Sequence, residues 1–423
     1  MRERLALFIE LIFLIVLLSG SIHSQDTIGP FEIKSDDGNT SLRVEFACQL
    51  KLEYKDLDRN RFKSDKSGLY SEMRRLRFGF RGSVASPNLT YRLQMSFAPR
   101  SPELMDIYIN YAYRPYLQLK YGQFKVPFTR YRMQSFQRLA FADWSIVTRY
   151  FGAERQIGLL FHNGYTKPEQ LTYVLGICNG FNARASHAVG LPQLFGQELL
   201  NPSDLSDPAP RERVHPELFL HASYNSKGMS LETDTDETGG DLRYAAAFSA
   251  AWDKDPKLYH DLKGRLAGEV LVKSSGVSLF GVGYLGYVDN LWSNRTELGL
   301  SAWQLQGVFR IRPWIEASIR YAEVKLKHAL TDCAVDVMRR VLQKAHDQFN
   351  ADPSEENEER YLTAVDRYKY AKLTEEKELT LGVNIYVIGH CLKWQNDYGR
   401  LAKEFRDGET RDFTFRSQLQ LAF

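Results

Sequence analysis

From about residue 40 to the C-terminus, apolar and polar side chains alternate with period two in one segment after another. The last segment shows it most plainly. Phe413, Phe415, Leu419, Leu421 and Phe423 share one parity, and Thr414, Arg416, Gln418 and Gln420 share the other. Successive side chains of a strand point to opposite faces, so such a segment has one apolar and one polar face. Leu76, Phe78 and Phe80 alternate in the same way with Arg75, Arg77, Gly79 and Arg81. Tyr91, Leu93, Met95 and Phe97 alternate with Arg92, Gln94 and Ser96, and Leu379, Leu381, Val383, Ile385 and Val387 with Thr380, Gly382 and Asn384.

Two folds produce this pattern: a soluble sandwich that buries its apolar face, and a membrane barrel that turns that face to lipid. Three features favour the barrel. The segments run about ten residues, the length that crosses a bilayer at a tilt. Short and long connections alternate, and Tyr and Phe gather at segment ends, as in an aromatic girdle. The pattern predicts an all-β, transmembrane antiparallel barrel of about sixteen strands. They fall near 42–54, 74–85, 89–98, 104–113, 116–125, 155–163, 170–179, 215–225, 243–252, 264–274, 279–289, 296–311, 314–327, 378–388, 391–399 and 410–423. With both termini on the periplasmic side, the short turns at Ser86-Pro87-Asn88, Arg114-Pro115, Arg312-Pro313 and Ile388-Gly389-His390 all lie there. The connection 226–242 is the exception, long on the side where turns should be short.

One stretch leaves the strand rhythm. Met338, Val341, Leu342, Ala345 and Phe349 follow helical spacing. Asp352-Pro353-Ser354-Glu355 resembles a helix start with Pro at the first helical position, opening a second helix through Leu362, Val365 and Tyr368. The spacing predicts a helical hairpin over 329–376, inserted in a late external loop. Three roles fit it: a plug or shield over the mouth, a partner contact, or decoration.

Arg2 and Arg4 precede an apolar run from Leu5 to Leu18 and a small polar region from Ser19. This is the pattern of a secretory signal peptide, expected over 1–24, with the barrel over 25–423. The formal net charge of +3 over 423 residues implies no nucleic-acid partner. Cys48, Cys178, Cys333 and Cys391 form no C-x-x-C pair, so neither a zinc site nor a redox motif is suggested, and which of them pair, if any, stays open. Gly281-Val-Gly283-Tyr-Leu-Gly286 matches G-x-G-x-x-G but continues as a strand rather than opening a helix. No catalytic motif, metal ligand set or cofactor site is expected.

Residues 74–181 carry Arg-Arg-Leu-Arg-Phe-Gly-Phe-Arg-Gly, then Gly-Gln-Phe-Lys-Val-Pro-Phe at 122–128, Arg-Gln-Ile-Gly-Leu at 155–159 and Gly-Ile-Cys-Asn-Gly at 176–180. This stretch resembles the phosphate-selective porin O/P family of Gram-negative outer membranes. The resemblance implies a sixteen-stranded barrel, usually trimeric, that conducts anions of the phosphate class. It also implies that the loop after the fifth strand, here 126–154, folds inward as a constriction. Neighbours in the membrane would be lipid and lipopolysaccharide, and Phe423 resembles the C-terminal signal recognised by barrel-assembly machinery.

Candidate anion-pathway residues follow from parity and from this loop. Arg75, Arg77, Arg81 and Arg92 share the polar parity of adjacent strands, with Arg43, Lys120, Arg265, Arg320 and Arg416 as further members. The loop region contributes Lys125, Arg130, Arg132, Arg138 and Arg149 among many aromatic residues. Guanidinium groups along a wet lumen lower the energy of a passing anion. The competing assignment pairs these Arg with lumenal acids such as Glu45, Asp106 and Glu316. Arg74 is expected on the lipid parity. Alternative functions on the same scaffold are a general or cation-preferring porin, or a surface adhesin or structural barrel that uses the 329–376 insert.

Overall fold

The computed structural model describes residues 31–58, 67–98, 102–152, 155–165, 170–179, 216–229, 233–253, 263–290 and 295–423, except for a few side chains among them. The expected signal peptide lies outside the described residues.

A short strand β1 (Glu32–Lys34) is followed by sixteen long ones: β2 (Ser41–Asp56), β3 (Gly68–Ser83), β4 (Leu89–Ala98), β5 (Glu103–Arg114), β6 (Leu117–Lys125), β7 (Arg155–His162), β8 (Leu171–Cys178), β9 (Glu217–Asn225), β10 (Arg243–Asp253), β11 (Gly264–Ser274), β12 (Val277–Asn290), β13 (Arg295–Arg312), β14 (Ile315–Leu326), β15 (Leu373–Ile388), β16 (Leu392–Phe405) and β17 (Gly408–Ala422). Each long strand pairs antiparallel with its neighbours in sequence, and β17 pairs with β2 from Phe413↔Asp56 to Ala422↔Ala47. The sheet therefore closes and has no free edge along its length. Phe423 completes the seam. Its backbone N–H and C=O exchange hydrogen bonds with Phe46, and the two rings stack at 5.2 Å.

The burial pattern decides between sandwich and membrane barrel. Large apolar side chains such as Ile109, Val270, Leu305, Leu381 and Leu419 face outward and exposed, while Gln304, Gln395 and Thr380 are fully buried inside. A soluble protein could not hold this inverted arrangement, because its outer face would be a continuous apolar band. Tyr54, Tyr70, Trp252 and Tyr398 ring one end of that band, and Tyr113, Tyr116, Tyr224 and Tyr244 the other.

All sixteen predicted strands are present. The main differences concern β15 and β16, which extend to Leu373 and Phe405, so that a two-residue turn joins β16 to β17. Residues 373–376 thus belong to a strand, not to the helical insert. The insert itself is a hairpin of α3 (His328–Ala351) and α4 (Glu355–Ala371), counting two short loop helices below as α1 and α2. Ser354 caps α4 by accepting from the Asn357 N–H, so Pro353 precedes the cap rather than occupying the first helical turn. Phe349 stacks on Tyr361 between the helices. Met338 and Val335 are buried where α3 lies on the ends of β12 and β13. Lys372–Asp407 and Arg406–Asp332 tie the hairpin to the β16–β17 turn. Gly281, Gly283 and Gly286 all sit within β12, so no helix follows the glycines. Cys48, Cys178 and Cys391 are free thiols, and the Cys333 side chain lies outside the described residues.

Candidate functional site

The long connection after β6 does not cap the barrel from outside. It folds into the lumen as α1 (Arg130–Met133), a 3-10 turn (Phe136–Arg138) and α2 (Ile146–Phe151). Its sequence explains why. Phe128, Tyr131, Phe141, Val147 and Phe151 are fully buried, with Tyr131 stacked on Phe280 and Phe151 on Tyr284 of β12. Gly382 leaves room for this packing, since a Cβ there would lie 3.1 Å from a Phe141 ring carbon.

A loop inside a barrel must satisfy its backbone polar groups without water. Here lumenal carboxylates on one half of the wall do so. Glu269 of β11 accepts from the N–H groups of Arg130 and Tyr131 at 2.8 and 3.3 Å. Asp397 of β16 accepts from Ala142, and Glu378 of β15 from Ile146, at 3.0 and 2.8 Å. Glu376 accepts from the Tyr150 hydroxyl at 2.6 Å. Loop carbonyls are met in turn: Lys393 and Gln395 donate to Leu139, and Asn384 to Ala140. Each charge-assisted bond of this kind is worth about 1.5–3 kcal/mol. Burial pushes the Tyr131 phenol up to about 12, and it accepts from Arg320 as a neutral hydroxyl.

The loop is tethered on its opposite side too. Arg74 donates to both oxygens of Asp143 at 3.1 and 2.9 Å, and Arg75 approaches the same carboxylate at 3.4 Å. Arg74 therefore points into the lumen, contrary to the parity expectation. The register shifts between Gln49↔Arg75 and Leu50↔Met73, which makes Arg74 the extra residue of a β-bulge. Burial alone would raise the Asp143 carboxyl, but Arg74 and Arg75 outweigh it and hold it well below the usual carboxylate range. The stabilisation this gives is fully present above the ordinary value of 3.8 and is lost as pH falls through the depressed native value. The loop should thus stay in place at pH 5, and Asp143→Asn should loosen it at any pH. The check is open-channel current noise: added flicker in Asp143→Asn is expected, and a trace as quiet as the parent would refute the tether.

With the loop held against β11–β16, a cavity of about 560 Å³ is left along β2–β7. Nine Lys and Arg residues line it, against the acids Glu45 and Asp106. Eight predicted pathway residues meet there: Arg43, Arg77, Arg81, Arg92, Lys120, Lys125, Arg130 and Arg138. Lys125 donates to the Gln134 carbonyl at 3.0 Å, and Arg130 to Asn225 at 2.9 Å. The Arg77 guanidinium lies 4.4 Å over the Phe136 ring. Five predicted residues do not join the cavity lining, and of these Arg265 is buried facing Glu217 at 3.5 Å. Arg75 is buried against Gln49 and Asp143, and Arg149 faces Glu376 at 3.9 Å. The side chain of Arg132 lies outside the described residues. Arg320 and Arg416, expected in the open lumen, are sealed off with Glu378 and Asp397.

Arg155 completes the basic lining. Arg43, Arg81 and Arg92 are direct cross-strand neighbours, forming one row across three strands. Like charges placed opposite one another are destabilising. Their partners offset this only in part: Glu45 lies 3.1 Å from Arg81 and 2.9 Å from Arg92, and Asp106 serves both Arg92 and Arg155. Of the three acids named as competing partners, Glu45 and Asp106 do pair with these Arg but are outnumbered, while Glu316 is held by Thr235, Asn384 and Tyr386 instead. Parity alone already marked Arg43. The carboxylate wall that seats the loop had no such signal beyond its lumenal parity.

The sequence profile described as phosphate-selective porin O and P matches residues 44–183. Among curated proteins none matches the chain in sequence. The fold is similar to that of the outer-membrane channel DcaP of Acinetobacter baumannii, at 10% identity and TM-score 0.54, covering 92% of this chain and 99% of that one. Pseudomonas putida OprB is similar at 10% identity and TM-score 0.52, covering 90% and 94%. Salmonella typhi OmpF, solved with daunomycin, is similar at 12% identity and TM-score 0.51, covering 93% and 100%. At such identities these are likenesses of fold.

Proposed function

We propose, from the premise that the chain is an outer-membrane porin with its residues 44–183 in the phosphate-selective porin O and P family, that it is a passive channel preferring anions of the phosphate class. The observation that carries this is the segregation of lumenal charge. The inward loop takes up the carboxylates of β11–β16 with its own N–H groups, and the water-filled space left over is lined mainly by Lys and Arg. An anion entering that space exchanges part of its hydration for guanidinium donors, whose planar fork suits phosphate oxygens. No bond is made or broken. Assembly as a homotrimer, contact with lipopolysaccharide and delivery through Phe423 belong to the same proposal.

The deciding experiment is the reversal potential of single channels in a salt gradient. A potential of the sign set by anion flow is expected, with phosphate competing against chloride current. A potential near zero, or one of the opposite sign, would instead establish a general or cation-preferring porin.

A further inference from the structure

The connection between β9 and β10 is too long for a turn on the side of the barrel where β2 begins and β17 ends; its residues 233–236 are buried in the lumen, and 237–242 lead back along the rim to β10. Thr233, Asp234, Thr235 and Asp236 are all buried. Asp234 accepts from the Ala140 N–H of the inward loop at 3.0 Å, so the two inserted segments meet inside the barrel. Lys273 of β11 donates to the carbonyls of Thr233 and Thr235 at 2.7 and 2.9 Å, and the Thr235 hydroxyl donates to Glu316 of β14. Further along, Arg243 and the Gly276 N–H hold Asp236 at 2.6 and 2.9 Å. The segment then crosses to the β15–β16 turn, where Glu237 and His390 lie 2.5 Å apart. Gly239 and Gly240, both with positive φ, turn the chain back, and the Gly240 carbonyl accepts from Ser275.

We infer that residues 233–242 form a second constriction, on the periplasmic side, which closes the β10–β15 half of the exit and confines permeation to the basic half along β2–β7. The inference rests on the channel function proposed above. His390 supports the placement, because it holds Glu237 and also lines the basic cavity, beside Cys391. The Glu237–His390 contact thus stands at the boundary between the filled and open halves. Every buried polar residue of the segment is met by the barrel wall or by the inward loop. It is a built part of the lumen, not slack in a turn.

The test uses Cys391 as a reporter, in a protein with Cys48, Cys178 and Cys333 replaced by Ser. A small anionic methanethiosulfonate added from the periplasmic side should modify Cys391, whereas a polymer-bearing maleimide should react far more slowly. In Asp234→Asn/Glu237→Gln, which loosens the segment at both ends, the polymer reagent should gain severalfold in rate. Single-channel conductance should also roughly double, since it follows the width of the narrowest passage. Equal rates for the two reagents in the parent would overturn the constriction. So would an assembled, heat-modifiable variant unchanged in both rate and conductance. If the variant does not assemble, the comparison of reagents in the parent decides alone. Labelling is read by mass and needs no current, so a parent that passes no ions would sink the channel proposal while leaving this result readable.

Discussion

Replacing Arg43, Arg81 and Arg92 together by Gln is expected to move the reversal potential to zero or across to the cation side. These three form the cross-strand row of the cavity, and their side chains are each about a third to a half exposed. Their removal does more than subtract positive charge. Glu45 loses both of its partners and becomes an unpaired carboxylate in the pathway, so the local sign inverts. Outside the channel such charges would be screened within about 10 Å at 0.1 M salt, but a narrow lumen admits few counterions. The effect should therefore persist at moderate salt. Arg149→Gln is the control, because Arg149 faces Glu376 away from the cavity. Arg74 cannot serve as that control, since its guanidinium holds Asp143. If the row variant keeps the parent selectivity, the filter lies elsewhere, with Arg138 of the loop as the first place to look. Arg130 is a poor probe. Its backbone N–H is bonded to Glu269 and its side chain to Asn225, so replacing it would disturb the seat of the loop as well as the charge.

Excising residues 129–151 in favour of a short Gly-Ser linker should raise conductance severalfold and collapse ion selectivity together. The loop fills the lumen along β11–β16 with a packed aromatic core, so its loss widens the narrowest section. It also covers Glu269, Glu376, Glu378 and Asp397, which would then face water alongside Arg320, Lys393 and Arg416. Both signs would line the enlarged pore, and neither would dominate. The two experiments are distinguishable. The row variant loses selectivity at nearly unchanged conductance, whereas the excision variant loses it while conductance rises. An excision variant with parent conductance would mean that the loop does not set the narrowest point. Assembly in each case is checked by heat-modifiable migration of the folded barrel.

Strand positions were legible because they are written locally. Each strand must put alternate side chains into lipid and into the lumen, so the residues carry the period whatever their neighbours do. The two-helix insert was legible for the same reason, through its 3.6 period, although β15 took back residues 373–376 by pairing with β14 and β16. The odd length of 226–242 was visible too, but not the inward course of 233–236, which depends on Lys273 and Glu316 on strands, and on His390 in a turn, far away in sequence.

Parity sorts side chains into lipid-facing and lumen-facing and says nothing about position around the barrel. That angular coordinate decides function here. It separates Arg81 and Arg92, in the open half, from Arg320 and Arg416, sealed beneath the loop. The side on which the loop rests follows from where aromatic partners and lumenal carboxylates coincide on β11–β16, and these become one surface only when β17 closes on β2. A single bulge at Arg74 likewise reverses a local parity that no run of neighbouring residues announces. Period and strand number come from interactions with solvent and lipid that each residue meets alone. The charge of the pathway comes from which groups face one another across the closed lumen, so it exists only in three dimensions.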